Sequence, residues 1–461
     1  DQDYRPLAIQ DSRSDGLNIG FAFDPVGNLT ALTAPGNTAP VVSLGYDNLD
    51  RLTAFKDGPT GTVIDGYSYD ATGNRLSAQV NGSTQTYSYP TDSHRLASVA
   101  GAARSYDAAG NTTAIDGTAR EFAYDATGRM SQAKRSGTLA MEYRYNDRGE
   151  QVRRFLGTTN TYTVYDEAGH WLGDYDGNGK ALQQAIWLDD LPVGVLAGTA
   201  LNYVQPDHLG APRTVIDPAR DVAIWKWDIK GEAFGNTPPD QDADRDGTAF
   251  VFGMRFPGQR YDGATGLNQN YFRDYDTGSG RYVQSDPIGL HGNISSYLYS
   301  SGYPLHSVDP LGLRTEVVYW HGVGVGESQF GHISTNINGR NFSWGPPGQW
   351  DSKYPRASDY NALQRNFRDG NGVILNLTPF QESQLSACMS GTGGKYSITS
   401  NNCGTSVQDC LKKVGVQFEK ALRPKAIFDS LSRSPSAAGS TFYPGPPRDG
   451  EPLDNPFLWG F

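Results

Sequence analysis

Tyr69-Asp70-Ala71-Thr72-Gly73-Asn74 is one copy of a segment that recurs along the first part of this 461-residue chain. The copies return roughly every twenty residues, which is the spacing of a repeat architecture. Related copies begin at Phe23, Tyr46, Tyr106, Tyr124, Tyr145 and Tyr165. Alternating runs such as Tyr67-Ser68-Tyr69 flank a turn whose glycine supplies positive φ, so each copy predicts a β-hairpin. Because one hairpin cannot bury its aromatic face alone, the repeat predicts a long sheet of successive hairpins.

These units resemble the tyrosine-aspartate (YD) repeats of the Rhs family. Four later segments strengthen the resemblance, at residues 203–213, 256–262, 271–275 and 280–290. The segment 203–213 is similar to the DHLGSPR segment of that family, and the other three resemble the end of the Rhs core. The resemblance implies a mainly β fold in which a spiral of YD hairpins forms a hollow shell. It also implies that a smaller C-terminal domain is held inside as cargo.

The predicted organisation has four parts. Residues 1–290 form the YD-repeat shell, 291–313 the end of the core, 314–433 an α+β cargo domain, and 434–461 a tail rich in proline and glycine. Residues 1–313 carry 25 basic and 38 acidic side chains, whereas residues 314–461 carry 14 and 12. No apolar stretch reaches the roughly 18 residues of a membrane-spanning helix, and residues 1–5 show no apolar leader. Since the chain does not begin with Met, its compartment stays open at this point.

Two aspartates mark the end of the predicted core. Asp286 and Asp309 each open an Asp-Pro-x-Gly-Leu segment. Two carboxyls brought together split their pKa values, which leaves one as acid and the other as base. In the Rhs and insecticidal toxin-complex proteins that the chain resembles, such a pair is implied in self-cleavage. The resemblance places the cut at the Leu313–Arg314 bond, with Arg281 as an orienting cation, while the alternative is that both segments are simply turns.

Two acidic runs are candidate metal sites. Residues 242–247 match the first half of a calcium loop, but Gly253 stands where the bidentate glutamate is expected. Residues 174–179 are equally incomplete, so both runs are interpreted as hairpin turns or solvated loops. The three cysteines show no CxxC spacing, which argues against zinc. The prediction is therefore of no metal and no cofactor.

The cargo contains two predicted strands, at residues 315–319 and 331–337, and the second ends in a hairpin turn at Asn338-Gly339. This turn pairs Ile337 with Arg340, Asn336 with Asn341 and Ser334 with Ser343. Since side chains alternate along a strand, His332 shares one face with Asn341 and Ser343. Further on, Val373-Ile374-Leu375-Asn376-Leu377 predicts another strand and residues 378–389 a helix.

Cys403 is the candidate nucleophile. Asn401 or Asn402 caps a helix that Gly415 ends, so Cys403 lies in the first turn. The N–H groups and positive dipole end there lower a thiol pKa and stabilise an oxyanion. His332 is the candidate base, with Asn341 and Ser343 orienting it. The other cargo histidine, His321, is the alternative base for Cys403.

The pattern of a strand histidine followed by a helix-start cysteine resembles the permuted papain-like hydrolases, a class that includes bacterial cell-wall peptidases and the lecithin-retinol acyltransferase group. The third member of the catalytic triad stays open. Because three cysteines are an odd number, no disulfide framework is predicted, and Cys388 and Cys410 are interpreted as core thiols.

The sequence therefore predicts a secreted effector toxin, delivered into a target cell in interbacterial competition such as type VI secretion. Its cargo would be an amidase, peptidase or acyl hydrolase acting on peptidoglycan, a target-cell protein or a lipid ester. The resemblance further implies an immunity protein, a secretion apparatus or chaperone, and retention of the cleaved cargo by the shell. A cargo charge of +2 without a basic cluster argues against nucleic acid. Two alternatives remain: a nuclease or nucleotide-modifying cargo, and a non-enzymatic adhesin or scaffold.

Overall fold

The computed structural model describes residues 5–13, 15–25, 27–80, 82–167, 169–230, 233–286, 295–302, 304–305, 309, 315–322, 330–337, 340–344, 357–366, 368–375, 377, 379–391, 397, 402–443 and 445. The chain divides into two units. The first comprises Asp1–Ser285 with Tyr297–Gly312, and the second comprises Asp286–Ser296 with Leu313–Phe461.

The first unit is built on a sheet of 22 strands, each of which pairs antiparallel with the next along the chain. The strands are Ala8–Ile9 (β1), Ile19–Phe23 (β2), Leu29–Thr33 (β3), Pro40–Tyr46 (β4), Leu52–Asp57 (β5), Val63–Tyr69 (β6), Arg75–Val80 (β7), Ser83–Ser88 (β8), Ser98–Val99 (β9), Ala102–Tyr106 (β10), Thr112–Ile115 (β11), Arg120–Tyr124 (β12), Met130–Arg135 (β13), Thr138–Tyr145 (β14), Gln151–Leu156 (β15), Thr159–Tyr165 (β16), Trp171–Asp176 (β17), Ala181–Leu188 (β18), Leu191–Ala197 (β19), Ala200–Pro206 (β20), Pro212–Asp217 (β21) and Val222–Lys226 (β22). The predicted series of hairpins is confirmed.

The repeat aspartate organises the turn of its hairpin. Asp70 Oδ1 accepts the N–H of Asn74 at 2.9 Å, and Asp70 Oδ2 accepts the amide of the same side chain at 2.9 Å. The same pair of bonds joins Asp24 to Asn28 and Asp107 to Asn111. The aspartate therefore satisfies backbone donors that a tight turn leaves without partners.

In the copies that have one, the repeat tyrosine bonds to the backbone of an earlier part of the chain. The pairing register shifts immediately before Tyr69, and the Tyr69 hydroxyl donates to the carbonyl of Leu52 at 3.0 Å. Equivalent bonds to an upstream carbonyl come from Tyr46, Tyr89, Tyr106, Tyr124, Tyr145 and Tyr165. The bond explains why the repeats prefer tyrosine to phenylalanine, because only tyrosine has the hydroxyl that donates.

We predict that Tyr124→Phe lowers the free energy of unfolding by about 1 kcal/mol. The Tyr124 hydroxyl donates to Thr112 O at 2.7 Å, and its removal leaves that carbonyl without this donor. Tyr162→Phe is the matched control, because Tyr162 is 41% exposed. Urea unfolding followed by tryptophan fluorescence measures both variants, and equal losses of stability would contradict the assigned role.

The sheet curls until its first strands meet its last ones. Arg13 Nε lies 2.5 Å from Asp221 Oδ1, and the N–H of Leu17 donates to Gln205 Oε1 at 2.6 Å. The rings of Phe21 and His208 lie 4.6 Å apart. These contacts join residues about two hundred positions apart, as a spiral requires and a flat sheet does not.

A second, four-stranded sheet in the first unit packs against the apolar side of the spiral. Its strands are Arg260–Asp262 (β23), Leu267–Asn270 (β24), Arg273–Asp276 (β25) and Arg281–Tyr282 (β26). Tyr275 and Tyr282 share a core with Trp225 of β22, while Leu267 packs with Phe122 of β12. The segments that resemble the end of the Rhs core therefore fill the interior side of the YD sheet.

The second unit contains an antiparallel five-stranded sheet, in the order Arg340–Ser343, His332–Ile337, Thr315–Trp320, Gly370–Leu375 and Ala437–Tyr443. Its elements are Thr315–Trp320 (β27), His332–Ile337 (β28), Arg340–Ser343 (β29), Ala357–Arg365 (α1), Gly370–Leu375 (β30), Pro379–Ser390 (α2), Cys403–Lys413 (α3), Pro424–Leu431 (α4) and Ala437–Tyr443 (β31). One face of the sheet packs on α2, α3 and α4 through Ile333, Leu385, Leu411 and Ile427. The opposite face contacts Tyr360 of α1. No helix in the described part of the chain is long and apolar enough to cross a membrane.

The hairpin register of the second unit is confirmed. Ile337 pairs with Arg340, Asn336 with Asn341 and Ser334 with Ser343, although the turn residues themselves lie outside the described part of the chain. The predicted helix after residue 378 and the helix that begins at Cys403 are confirmed as well.

Two predictions for this unit are wrong. Cys388 and Cys410 form a disulfide, because α2 and α3 pack side by side and bring their Cα atoms to 5.7 Å. The odd cysteine count simply leaves one cysteine over, and that residue is Cys403. The stretch predicted as an unpacked tail contains β31, which pairs with β30. Its prolines do not prevent this, since they precede and follow β31 and none lies within it.

Candidate functional site

The start of α3 positions Cys403. Asn402 is the cap: its side-chain oxygen accepts the N–H of Gly404 at 2.9 Å and of Thr405 at 3.1 Å. The Thr405 hydroxyl in turn accepts the N–H of Asn402 at 2.8 Å, which completes a capping box. Cys403 is thus the first residue of the helix, and it is only 4% exposed.

The thiol of Cys403 is protonated at neutral pH. Burial raises its pKa, and the N–H groups of Ile333 and Gly404 and the charge of Arg368 oppose this rise only in part. The helix start lowers this pKa through the N–H of Gly404, as expected, but burial has the larger effect and the net shift is upward. Removal from water destabilises the thiolate by more than the nearby N–H groups and the charge of Arg368 stabilise it. The sulfur consequently needs a base to take its proton.

His332 lies at the start of β28 in a chain of hydrogen bonds. Its Nε2 is 2.8 Å from the hydroxyl of Ser343, and that hydroxyl is 2.9 Å from the hydroxyl of Tyr360. Burial, with a smaller contribution from Arg368, lowers the pKa of His332 to about 3. The imidazole is therefore neutral and has a free lone pair, but a pKa this low makes it a weak base toward the thiol in this arrangement.

Cys403 and His332 come to the same part of the sheet without bonding to each other. Ile333 directly follows His332, and its N–H faces the Cys403 sulfur. In the residues that the structure describes, no hydrogen bond joins the thiol to the imidazole. Proton transfer from the thiol to the imidazole would require the two side chains to approach each other.

The other residues proposed for this site occupy different positions. Asn341 lies opposite Asn336 in the hairpin and is buried. His321 follows β27 directly, its backbone N–H donates to Asp369 O at 2.9 Å, and its ring lies 5.4 Å from that of Tyr319. The register brings Ser343 to the imidazole of His332.

Sequence reasoning missed Tyr360 and Arg368. Tyr360 lies on α1, a helix that was not predicted. The hydrogen bond between its hydroxyl and that of Ser343 was therefore not expected. Arg368 is 7% exposed, and its Nε donates to Gln364 Oε1 at 2.7 Å. Its charge favours the thiolate of Cys403 and disfavours the protonated form of His332.

The neutral state of His332 makes stability depend on pH. Its pKa is about 3 in the folded protein and about 6.5 when unfolded, so only the unfolded chain takes up this proton between those values. The contribution of neutral His332 to the free energy of unfolding is complete above pH 6.5, and it decreases by at most about 1.4 kcal/mol for each pH unit below that value.

We predict that the His332→Gln variant loses less free energy of unfolding between pH 7 and pH 5 than wild type, as measured by urea unfolding at both pH values. Equal losses would contradict the prediction.

A second candidate site surrounds Asp309 in the first unit. The carboxylate is buried, and its Oδ2 accepts the Tyr282 hydroxyl at 2.7 Å and Arg273 Nη2 at 3.1 Å. Asn270 Nδ2 donates to the backbone oxygen of Asp309 at 2.8 Å. Burial and the charge of Asp309 hold the pKa of Tyr282 well above its usual value, so the phenol remains a donor. The cation found on Asp309 is Arg273, a residue that sequence reasoning did not select.

Of the remaining residues of the predicted cleavage site, Arg281 and Asp286 are described and two are not. Arg281 Nη1 donates to the Tyr89 hydroxyl at 2.8 Å and Nη2 to His94 O at 2.7 Å. Asp286 is buried in the second unit, and its N–H donates to Ser296 O at 2.8 Å. Leu313 and Arg314 are outside the described residues.

The two acidic runs take different structures. Asp242, Asp244 and Asp246 bring carboxylate oxygens within 4.8 Å of one another, and Arg220 lies 2.5 Å from Asp244 Oδ2. Asp176, by contrast, closes the hairpin between β17 and β18, where its Oδ1 accepts two backbone N–H groups. Arg220 of the same chain pairs with Asp244 and Asp246 of the first run, and the second run is a hairpin turn.

Comparisons with known proteins identify the family of the YD repeats. Residues 16–296 match the profile of the Teneurin YD-shell family. Double-stranded DNA deaminase toxin A of Burkholderia cenocepacia is 27% identical over 405 residues, which cover 81% of this chain and 26% of that protein. Toxin protein Tse5 of Pseudomonas aeruginosa is 25% identical over a match that covers 65% of this chain and 27% of that protein. The protein named Probable deoxyribonuclease RhsA, from Dickeya dadantii, is 26% identical over a match that covers 66% of this chain and 20% of that protein.

The chain therefore spans about a quarter of the length of these curated relatives. Among solved structures, the crystal structure of TcdB2-TccC3 without its hypervariable C-terminal region is 18% identical. It aligns with a TM-score of 0.50 and covers 67% of this chain and 18% of that chain. This likeness concerns the fold alone.

Proposed function

The chain belongs to the Teneurin YD-shell family, and from this premise we propose that it is a self-cleaving effector toxin that carries a cysteine-dependent hydrolase. Its relatives include Rhs-type toxins, which supports the toxin role. The YD unit would be the carrier, and the second unit would be the enzyme. Delivery into a target cell, an immunity protein, a secretion or chaperone partner and retention of the cut cargo belong to the same proposal.

The observation that carries the hydrolase is Cys403 at the first position of a capped helix, beside a strand that presents His332. With Nε2–H donated to Ser343, His332 Nδ1 takes the thiol proton while the sulfur attacks a carbonyl carbon. The Asn402 side chain takes the N–H groups of Gly404 and Thr405, so the N–H of Cys403 is the donor proposed for the resulting oxyanion. The imidazolium then gives its proton to the leaving nitrogen or oxygen, and water hydrolyses the thioester. This chemistry fits amide and ester substrates.

Self-cleavage is proposed at Leu313–Arg314, with Asp309 and Asp286 as the acid and base. The support from the structure is the setting of Asp309, a buried carboxylate held at one oxygen by Tyr282 and Arg273. A carboxylate held in this way is oriented for proton transfer or for activating water. Arg281 is the orienting cation of the same proposal, and its guanidinium is held by Tyr89 and His94.

A nucleic-acid-modifying cargo is the second candidate, because two of the relatives carry the names of a DNA deaminase and a deoxyribonuclease. The discriminating experiment incubates the full chain and Cys403→Ala with purified peptidoglycan, a lipid ester and double-stranded DNA. Hydrolysis of peptidoglycan or ester that the variant lacks supports the cysteine hydrolase. Modification of DNA that the variant retains supports the second candidate and contradicts the first.

A further inference from the structure

We propose that the loop at residues 242–247 of the first unit is a calcium site, and that the ion competes with the guanidinium of Arg220 for its carboxylates. The ligands are the side chains of Asp242, Asp244 and Asp246. The inference does not depend on the proposed hydrolase or on self-cleavage, because it concerns only the YD unit.

The three carboxylates lie close enough together to share one ion. One oxygen of each lies within 4.8 Å of the corresponding oxygens of the other two. Calcium binds oxygen at about 2.3–2.6 Å, so two ligand oxygens on opposite sides of one ion are separated by at most about 5 Å. The spacing of the three oxygens therefore fits a single calcium ion.

The carboxylate of Asp244 is buried without a hydrogen-bond donor. Its side chain is 6% exposed, and neither oxygen accepts a hydrogen bond from the described residues. Arg220 Nη1 lies 2.5 Å from Oδ2 as an ion pair, so it is Oδ1 that lacks both kinds of partner among those residues. A buried carboxylate oxygen without a donor is unfavourable, and a bound cation satisfies it.

The backbone makes the turn that a calcium loop requires. Asp242, Asp244 and Asp246 occupy the first, third and fifth positions of such a loop, and Gly247 occupies the sixth with a φ of +83°. The N–H of Gly247 donates to Asp242 Oδ1 at 3.3 Å. Because Gly253 replaces the bidentate glutamate of the twelfth position, we expect water to complete the coordination and the affinity to be low.

The negative charge of the site is only partly balanced by the chain. Arg220 contacts three carboxylates, those of Asp244 at 2.5 Å, Asp217 at 2.7 Å and Asp246 at 3.0 Å. The cation within the loop, Arg245, forms its ion pair with an aspartate outside the site. Carboxylates this close together repel one another, and a divalent cation offsets the repulsion better than one shared guanidinium does.

Arg220 is able to give up its place to the ion. Its side chain is 46% exposed, so Nη1 can turn away from the loop while Nε stays with Asp217. The guanidinium and the ion would therefore exclude each other at Asp244 and Asp246. When calcium replaces Arg220, it joins three side chains of the loop that follows β22, and we expect it to stabilise the first unit.

The first test measures binding. The full chain, freed of metal with a chelator, is titrated with calcium chloride in a calorimeter, and wild type should bind one ion with a Kd of about 10⁻⁴ to 10⁻³ M. Asp244→Asn should weaken binding at least about tenfold, whereas Arg220→Gln should strengthen it at least about threefold by removing the competing cation. Asp176→Asn makes the same change in the other acidic run and should bind like wild type. Binding by neither wild type nor Arg220→Gln, or unchanged binding by Asp244→Asn, would overturn the proposal.

The second test measures stability and separates loss of the site from loss of the fold. Calcium at about 10 mM should raise the melting temperature of the first unit by about 3 °C in wild type and should leave that of Asp244→Asn unchanged. The melting curve without calcium shows whether the variant is folded, and Asp242→Asn serves in its place if it is not. An equal rise in the folded variant would overturn the assignment of these ligands. A rise in wild type that sodium chloride of the same ionic strength reproduces would overturn calcium binding itself.

Discussion

Cys403→Ala is expected to lower hydrolysis of the peptide or ester substrate by at least about a thousandfold while the fold is retained. The sulfur forms the covalent intermediate, and alanine has no atom to replace it. Cys403 is buried at the first turn of α3, where alanine fits because it is smaller and a good helix former. The measurement is kcat/KM for the full chain, with circular dichroism to confirm the fold.

Two comparisons make this result specific. Asp409→Asn changes an exposed residue on the same helix and should leave kcat/KM unchanged. His332→Gln should approach the loss of Cys403→Ala, because glutamine cannot accept the thiol proton. A Cys403→Ala protein that hydrolyses at the wild-type rate would rule out the thiol as nucleophile. Self-cleavage should continue in this variant, since it depends on aspartates.

Asp309→Asn is expected to slow self-cleavage by about 10² to 10⁴-fold. Wild type should yield two fragments that meet between Leu313 and Arg314, whereas the variant should remain one chain. The amide of asparagine cannot exchange the proton that the carboxyl exchanges, although it keeps the size needed beside Tyr282 and Arg273. Intact mass under denaturing conditions, followed over time, gives the rate.

The controls separate chemistry from folding. Asp116→Asn makes the same change at an exposed aspartate and should cleave like wild type. Asp286→Asn should block cleavage as Asp309→Asn does. Tyr282→Phe removes one donor to Asp309 and should slow cleavage without stopping it. Cleavage at the wild-type rate in Asp309→Asn, or its loss only in Cys403→Ala, would exclude an aspartate mechanism.

Local patterns predicted much of the molecule. The repeated Tyr-Asp turn predicted the hairpins, because glycine and aspartate determine a turn over only a few residues. The pair Asn338-Gly339 predicted that Ser334 lies opposite Ser343, since a two-residue turn determines the register of the strands it joins. The polar residue before Cys403 predicted the start of α3, although only the hydrogen bonds identified Asn402 rather than Asn401 as the cap.

The features that the sequence did not predict depend on residues that lie far apart in the chain. Nothing near Cys388 in sequence shows that α2 packs beside α3, so the disulfide could not be inferred. The thiol pKa was expected to fall because the helix start is visible in the sequence, whereas the burial that raises it is not. Arg273 was overlooked as the cation on Asp309, because β25 and residue 309 meet only in the folded first unit.

The sequence by itself determined the YD hairpins, the family resemblance and the positions of Cys403 and His332 on a helix and a strand. Turns, caps and strand alternation depend on neighbours a few residues apart, so they can be read along the chain. Only the tertiary structure decided which carbonyl each repeat tyrosine reaches, which cysteines pair, and which groups surround Asp309 and His332. Those outcomes depend on burial and on contacts between residues far apart in the chain, which packing alone brings together.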